Sequence, residues 1–362
     1  MRIAGKAIAS NVIGREDVER GIERTSFSLT LSGQCISSYD PTDWSKNHSI
    51  VKFEACVRTK SILLAAFAAI LSLIAVTAAG AREVTHAMGV TDVPDAPKRI
   101  VVLTNEGTEA LLAMGIKPVG AVRSWLGKPW YDHIAQRMEG VTVVGDESAI
   151  NLELIASLEP DLILGTKFRQ EKIYSQLSAI APTVLSERIR SDWKGNMKLY
   201  AAAVGKLPEA EAAFKAYDDR VAAISKALGD KKAEKISLVR FMPGRTRILL
   251  KDTFAGNVLS QIGFARPANQ DRMEFADEVT KERTPEFEGD RLFYLVYDTG
   301  DGKTAAAAAD WTSDPLWNNL AVVKAGKVGA VSDAVWNTAG GILAANLMLD
   351  DIEKIYGLPA SR

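Results

Sequence analysis

Thiols are almost missing from this 362-residue chain: the only cysteines are Cys35 and Cys56, and both precede an uncharged apolar run. With that run removed as a signal, no thiol is left, which excludes disulfides and Cys-ligated zinc. Histidine is nearly as scarce, limited to His48, His86 and His133. His48 and His86 fall outside the expected folded body, so a His-rich Zn, Mn or Cu site lacks ligands and no intrinsic cofactor is expected. A lone His133 does not supply a Ser–His–Asp triad and is expected at the surface. The patterns G-x-S-x-G, G-x-x-x-x-G-K-[ST] and H-E-x-x-H are absent, and with them the local signatures of serine hydrolases, P-loop enzymes and zinc proteases. Solvation explains the carboxylate pairs Asp218-Asp219 and Asp350-Asp351, which lie on expected helices. An enzyme is therefore the weaker reading.

An excess of either charge is missing too. Lys plus Arg is 44 against 45 for Asp plus Glu, so no basic surface marks a nucleic-acid partner. What is present is a 47 % hydrophobic content and a length that holds two ordinary domains.

The apolar run is Ser61–Ala81, SILLAAFAAILSLIAVTAAGA, preceded by Arg58 and Lys60. Basic residues, an apolar core and Ala79-Gly80-Ala81 make residues 58–81 a secretory signal cut after Ala81, which implies a periplasmic protein. The alternative is an uncleaved transmembrane helix, because the run is long enough to span a bilayer. Neither cysteine follows an apolar run as a lipid-anchored one would. Residues 1–57 form a leader, polar and aperiodic over residues 1–50. It is either the product of a start site placed too early, with translation beginning near Val51, or a cytoplasmic tail on a signal anchor.

The folded body is organised around Pro208–Leu228. Ala210, Phe214, Tyr217, Val221, Ile224 and Leu228 recur at steps of four and three and share one helical stripe. Pro208 suits a first helical position and Gly229 the residue past the end. The spacing predicts a bridging helix over 207–229 that ties two lobes together.

In the first lobe, 98–206, β-branched runs alternate with helical patterns: Arg99–Thr104, Val119–Val122, Val141–Gly145, Asp161–Leu164 and Thr183–Leu185 read as strands, with helices at Thr108–Met114, Asn151–Leu158 and Ile173–Ala179. The pattern restarts in the second lobe, 233–358. Ile236–Phe241 and Arg247–Leu250 flank a hairpin turn at Met242-Pro243-Gly244-Arg245, and Leu292–Tyr297 and Lys327–Val331 read as further strands. Helices are expected at Gly256–Ile262 and Ala339–Ile355. The fold class is thus α/β: two mostly parallel-sheet lobes joined by a single long α-helix, with a ligand cleft between them.

Such sheets bind ligands at the carboxyl ends of their strands, and the residues expected there are basic and aromatic. They are Arg123, Trp125, Phe168 and Arg169 in the first lobe; in the second, Arg240 and Arg247 lie on the paired strands of the expected hairpin, and Tyr297 and Trp336 lie in or near loops that feed the cleft. Arginine forks suit carboxylates, and rings cover an apolar ligand backbone.

Four segments carry a resemblance: RIVVL…TEALLAMGIKPVGA, NLELIASLEPDLILG at Asn151–Gly165, LSAIAPTV at Leu177–Val184 and VRFMPGRTRILL at Val239–Leu250. From about Arg99 to Tyr356 the chain resembles the helical-backbone class of periplasmic substrate-binding proteins, the iron(III)–siderophore binders of ABC importers. That resemblance implies a monomer that captures a ferric siderophore of citrate or hydroxamate type and delivers it to an ABC permease. The protein recognises the anionic shell and the siderophore holds the iron, with Arg123, Arg169, Arg240 and Arg247 as cleft arginines and Trp125, Phe168, Tyr297 and Trp336 as walls. It also implies two permease-docking carboxylates, Glu153 within NLE and Glu282 within VTKER. Haem or cobalamin binders of the same fold, and a signal-anchored sensor or enzyme on the same frame, are the alternatives.

Overall fold

The computed structural model describes residues 80–298, 300 and 302–361. The leader and the apolar run up to residue 79 lie outside the described residues. The described residues belong to one compact unit.

The described chain opens with a hairpin that the sequence reading left out, β1 (Ala81–His86) paired antiparallel with β2 (Gly89–Pro94). Val84 and Val93 turn inward, as alternation along paired strands requires. His86 therefore belongs to the folded body, contrary to expectation. It is buried, its Nε2 bonds Thr91 Oγ1 at 2.9 Å, and its Nδ1 accepts the Leu185 N–H at 3.2 Å.

The first lobe carries β3 (Ile100–Val102), β4 (Gly120–Ala121), β5 (Thr142–Val143), a small hairpin of β6 (Gly145–Asp146) and β7 (Ala149–Ile150), then β8 (Leu162–Thr166) and β9 (Thr183–Ser186). The main sheet runs β5-β4-β3-β8-β9 and is parallel throughout. Strands covered on both faces read as unbroken apolar runs, and Ile100, Val101 and Val102 are all buried. Two helices start on side-chain caps: Thr104 Oγ1 accepts the Gly107 N–H at 3.0 Å ahead of Asn105–Ala113, and Asn151 Oδ1 accepts the Leu154 N–H at 2.9 Å ahead of Leu152–Ser157.

The second lobe holds β10 (Ile236–Met242), β11 (Arg245–Leu249), β12 (Ala276–Val279), β13 (Arg291–Val296) and β14 (Val328–Val331), ordered β12-β11-β10-β13-β14. Here only the β10–β13 and β13–β14 pairs are parallel. The expected hairpin makes β10–β11 antiparallel, and β12 extends it on the outside. Gly244 turns that hairpin at φ +72°, a left-handed conformation that glycine reaches without strain.

The bridge is the 22-residue helix Leu207–Leu228, about 33 Å long at 1.5 Å per residue. Ala210, Tyr217, Val221, Ile224 and Leu228 are buried and Phe214 is half-buried. Each fully buried aliphatic side chain on that stripe contributes about 2 kcal/mol. Arg220 is also buried on it, donating to Asn346 Oδ1 and Asp350 Oδ1, both at 2.8 Å. That contact pins the bridge to the closing helix, Ile342–Tyr356. The closing helix begins three residues later than expected, because Ala334–Thr338 form a π-turn and Gly340 takes φ +68°. It packs on both the bridge and Asn105–Ala113, so one apolar cluster runs through the two lobes.

Candidate functional site

Strand alternation builds one wall of the cleft. Arg240 on β10 lies directly opposite Arg247 on β11, and Met242 opposite Arg245. Directly paired residues share a sheet face, and so do residues two apart. All four side chains accordingly line one cavity, while Phe241 and Ile248, the residues after Arg240 and Arg247, point into the second-lobe core. The opposite wall comes from the loop after β4, which supplies Trp125, and from the short helix Lys167–Gln170 just past β8, which supplies Phe168 and Arg169. Arg190, from the loop after β9, adds to that wall, and Tyr297, just past β13, adds to the first. The cavity measures about 680 Å³, within the range of small-molecule sites.

Six of the eight expected cleft residues meet here: Trp125, Phe168, Arg169, Arg240, Arg247 and Tyr297. Two do not. Arg123 is half-exposed beside Asp146 at 3.7 Å, because its N–H bonds the Gly145 carbonyl and its side chain leaves toward the β6–β7 hairpin. Trp336 is fully buried, 5.0 Å from the Phe293 ring, with its indole N–H on Asp351 Oδ2 at 2.8 Å. The π-turn carries that ring into the core and leaves Asn337, Thr338, Ala339 and Gly340 at the cleft. His133, expected at the surface, is half-buried, with its Nε2 2.5 Å from Oε1 of the buried Glu109.

Arg190 and Arg245 are cleft arginines that the sequence reading missed, and Glu106 and Glu147 are cleft acids that it missed. Arg190 holds φ +92°, a costly conformation for a side-chain-bearing residue. Its guanidinium lies 4.0 Å from the centre of the Phe275 ring and 5.5 Å from that of Phe168, one ring from each lobe. Nearby, Arg188, Arg190 and Ser191 all reach Asp252 in the second lobe.

Every cleft arginine has a carboxylate beside it. Arg240 donates Nε and Nη2 to Asp333 at 2.5 and 3.0 Å, Arg247 Nη2 lies 2.6 Å from Glu278, and Arg245 Nη1 lies 3.5 Å from the same carboxylate. The Arg247 hydrogen bond holds Glu278 below the ordinary carboxylate value. Looser pairs join Arg169 to Glu147 at 3.7 Å and Arg190 to Asp252 at 3.9 Å, beyond hydrogen-bond distance. The guanidinium groups are thus oriented in advance, and Arg169 and Arg190 are the ones an incoming anion takes over most easily. Arg169 also lies 5.6 Å from the centre of the Trp125 ring and Arg240 4.8 Å from that of Tyr297, so rings and cations alternate around the cavity.

Residues 100–334 match the family model described as periplasmic binding protein. The chain belongs to the periplasmic binding protein family. This binding protein is 50 % identical over 291 residues to the probable siderophore-binding lipoprotein YfiY of Bacillus subtilis (strain 168), covering 78 % of this chain and 89 % of that protein. It is 30 % identical over 268 residues to the achromobactin-binding periplasmic protein of Dickeya dadantii (strain 3937), covering 72 % and 87 %. Among solved structures, Staphylococcus aureus SirA complexed with staphyloferrin B superposes with a TM-score of 0.72 at 35 % identity, over 77 % of this chain and 99 % of SirA. The two-lobed frame with its single long helix is the fold of this family, and its members are substrate-binding proteins, not enzymes. With relatives named as a lipoprotein and as a periplasmic protein, this binding protein works on the outer side of the cytoplasmic membrane.

Glu153 and Glu282 are both exposed, in the first turns of Leu152–Ser157 and of Lys281–Phe287. A hydrogen bond with the Thr280 side chain holds the Glu282 carboxyl below its ordinary value. Each carboxylate is available to a cationic partner, one per lobe.

Proposed function

We propose that this protein captures a ferric siderophore of citrate or hydroxamate type in the cleft and delivers it to an ABC permease. The observation that carries the reading is the convergence of Arg169 and Arg190 from the first lobe with Arg240, Arg245 and Arg247 from the second on one ring-walled cavity. Such a cavity suits a bulky anion: the guanidinium groups answer the surplus negative charge of the chelate, and Trp125, Phe168 and Tyr297 cover its carbon framework. Arginines drawn from both lobes also make occupancy a bond between lobes. The siderophore binds iron, and the protein binds the chelate.

Glu153 and Glu282 are the carboxylates we assign to docking on arginines of the permease. Export uses the signal at 58–81, cut after Ala81, which leaves a periplasmic protein. The test is a thermal-shift and tryptophan-fluorescence screen of the purified mature chain against ferric staphyloferrin B, ferric citrate, a ferric hydroxamate, haemin and cobalamin. A raised melting temperature and quenching with a ferric chelate are expected. A response to haemin or cobalamin alone overturns the ligand class.

A further inference from the structure

Among the acids at the cleft, Glu106 stands apart. Glu147, Asp252, Glu278 and Asp333 each have an arginine beside them, whereas no ion pair reaches Glu106 among the described residues. It is nevertheless buried at 7 % exposure, and it lines the same cavity as the five arginines. One carboxyl oxygen accepts the Asn196 Nδ2–H at 2.7 Å. Its other oxygen has no hydrogen-bond partner among the described residues.

We propose that Glu106 is a specificity-determining residue of this cleft, a neutral carboxyl whose O–H donates a hydrogen bond to an anionic oxygen of the bound chelate. This rests on the siderophore reading above. A buried carboxylate without a cation is strongly disfavoured, and proteins relieve that by keeping the proton. The charged groups that act most on Glu106 from the packed elements are acidic: Glu147 from the β6–β7 turn, Asp192 at the start of Trp193–Val204, and Glu109 one turn along its own helix; the arginines that share its cavity each have another carboxylate beside them. Asn196 and the start of Asn105–Ala113 favour the anion. Burial and then Glu147 outweigh them and push the carboxyl well above its ordinary value. A neutral acid on the floor of an arginine-lined cavity adds a donor without adding charge. Anions with an oxygen at that spot gain a hydrogen bond, and ligands offering a cation there meet no carboxylate.

Binding is then proton-linked. An anionic oxygen against Glu106 holds the proton more firmly, so affinity is full below the titration of the empty cleft and falls as pH rises through it, by up to tenfold per unit. Two measurements test this. Infrared difference spectra of the ligand-free wild type and Glu106→Gln near neutral pH are expected to show a protonated-carboxyl C=O band in the wild type alone; its absence overturns the neutral acid. Titrations with ferric staphyloferrin B across the pH range in which that infrared band disappears from the ligand-free wild type, read by tryptophan fluorescence, are expected to give a Kd that rises with pH for the wild type and is independent of pH for Glu106→Gln. The same pH profile in both proteins, or at least tenfold tighter binding by Glu106→Gln at every pH, overturns the proposal. No binding by either protein overturns the siderophore reading instead, and the infrared band still decides the proton.

Discussion

Arg240 and Asp333 form a buried, two-bonded pair at the cleft, with Asp333 at 3 % exposure and Tyr297 packed over the guanidinium. The acid fixes the fork, and one edge of the arginine stays toward the cavity. Asp333→Ala leaves that buried cation without a partner, so a stability loss of about 3–5 kcal/mol is expected in urea unfolding. A loss below about 1 kcal/mol would mean that the pair contributes no more than an exposed one does.

Arg190 is expected to reveal its backbone strain through two replacements. Arg190→Ala loses the side chain and keeps the left-handed backbone at φ +92°. Arg190→Gly also loses the side chain and relaxes that conformation, so it is expected to be the more stable of the two by roughly 1 kcal/mol. Urea midpoints compare them, and equal or reversed midpoints would show that the loop moves freely to an ordinary conformation.

His86 gives the protein an acid-sensitive point. Burial lowers its titration below the ordinary value, and its Nδ1 accepts the N–H of Leu185, which requires the neutral ring. The folded state therefore resists protonation while the unfolded chain accepts it at about pH 6.5. Stability tied to this group is fully present above that pH and is lost as pH falls through it toward the folded value. Melting temperatures measured from about pH 7.5 to 5 are expected to fall less steeply for His86→Ala than for the wild type. Parallel curves would remove His86 from the acid response.

Glu153→Ala and Glu282→Ala are expected to leave the melting temperature and the affinity for ferric staphyloferrin B close to those of the wild type and to slow uptake through the cognate permease severalfold. Transport of radioactive iron by cells carrying each variant measures this. Normal uptake by the double variant would place docking elsewhere.

Periodicity carried most of the frame. The stripe on the bridge, the β10–β11 hairpin and the alternating pattern of the first lobe all follow from side-chain spacing, which local backbone geometry dictates. The cleft was legible where a residue stood just past a strand, as Phe168, Arg169 and Tyr297 do. The same rule applies to Glu106, past β3, and Glu147, past β6, but an acid among bases and rings carries no sequence signal for an anion site. Arg190 sits in a loop without period, and its place depends on contacts with Asp252 and Phe275 from the other lobe. Trp336 departs from its expected place because it lies in the π-turn Ala334–Thr338, where its ring packs on Phe293 in the core. The hairpin β1–β2 is hard to read from sequence because it follows directly on the apolar run.

Affinity for ferric staphyloferrin B in Arg169→Ala, from the first lobe, and Arg247→Ala, from the second, is the most direct measurement. Each is expected to raise the Kd at least tenfold, about 1.4 kcal/mol, with an unchanged fold by circular dichroism. Should both variants bind within roughly twofold of the wild type, less than about 0.5 kcal/mol, the two lobes would not be gripping an anion through these side chains.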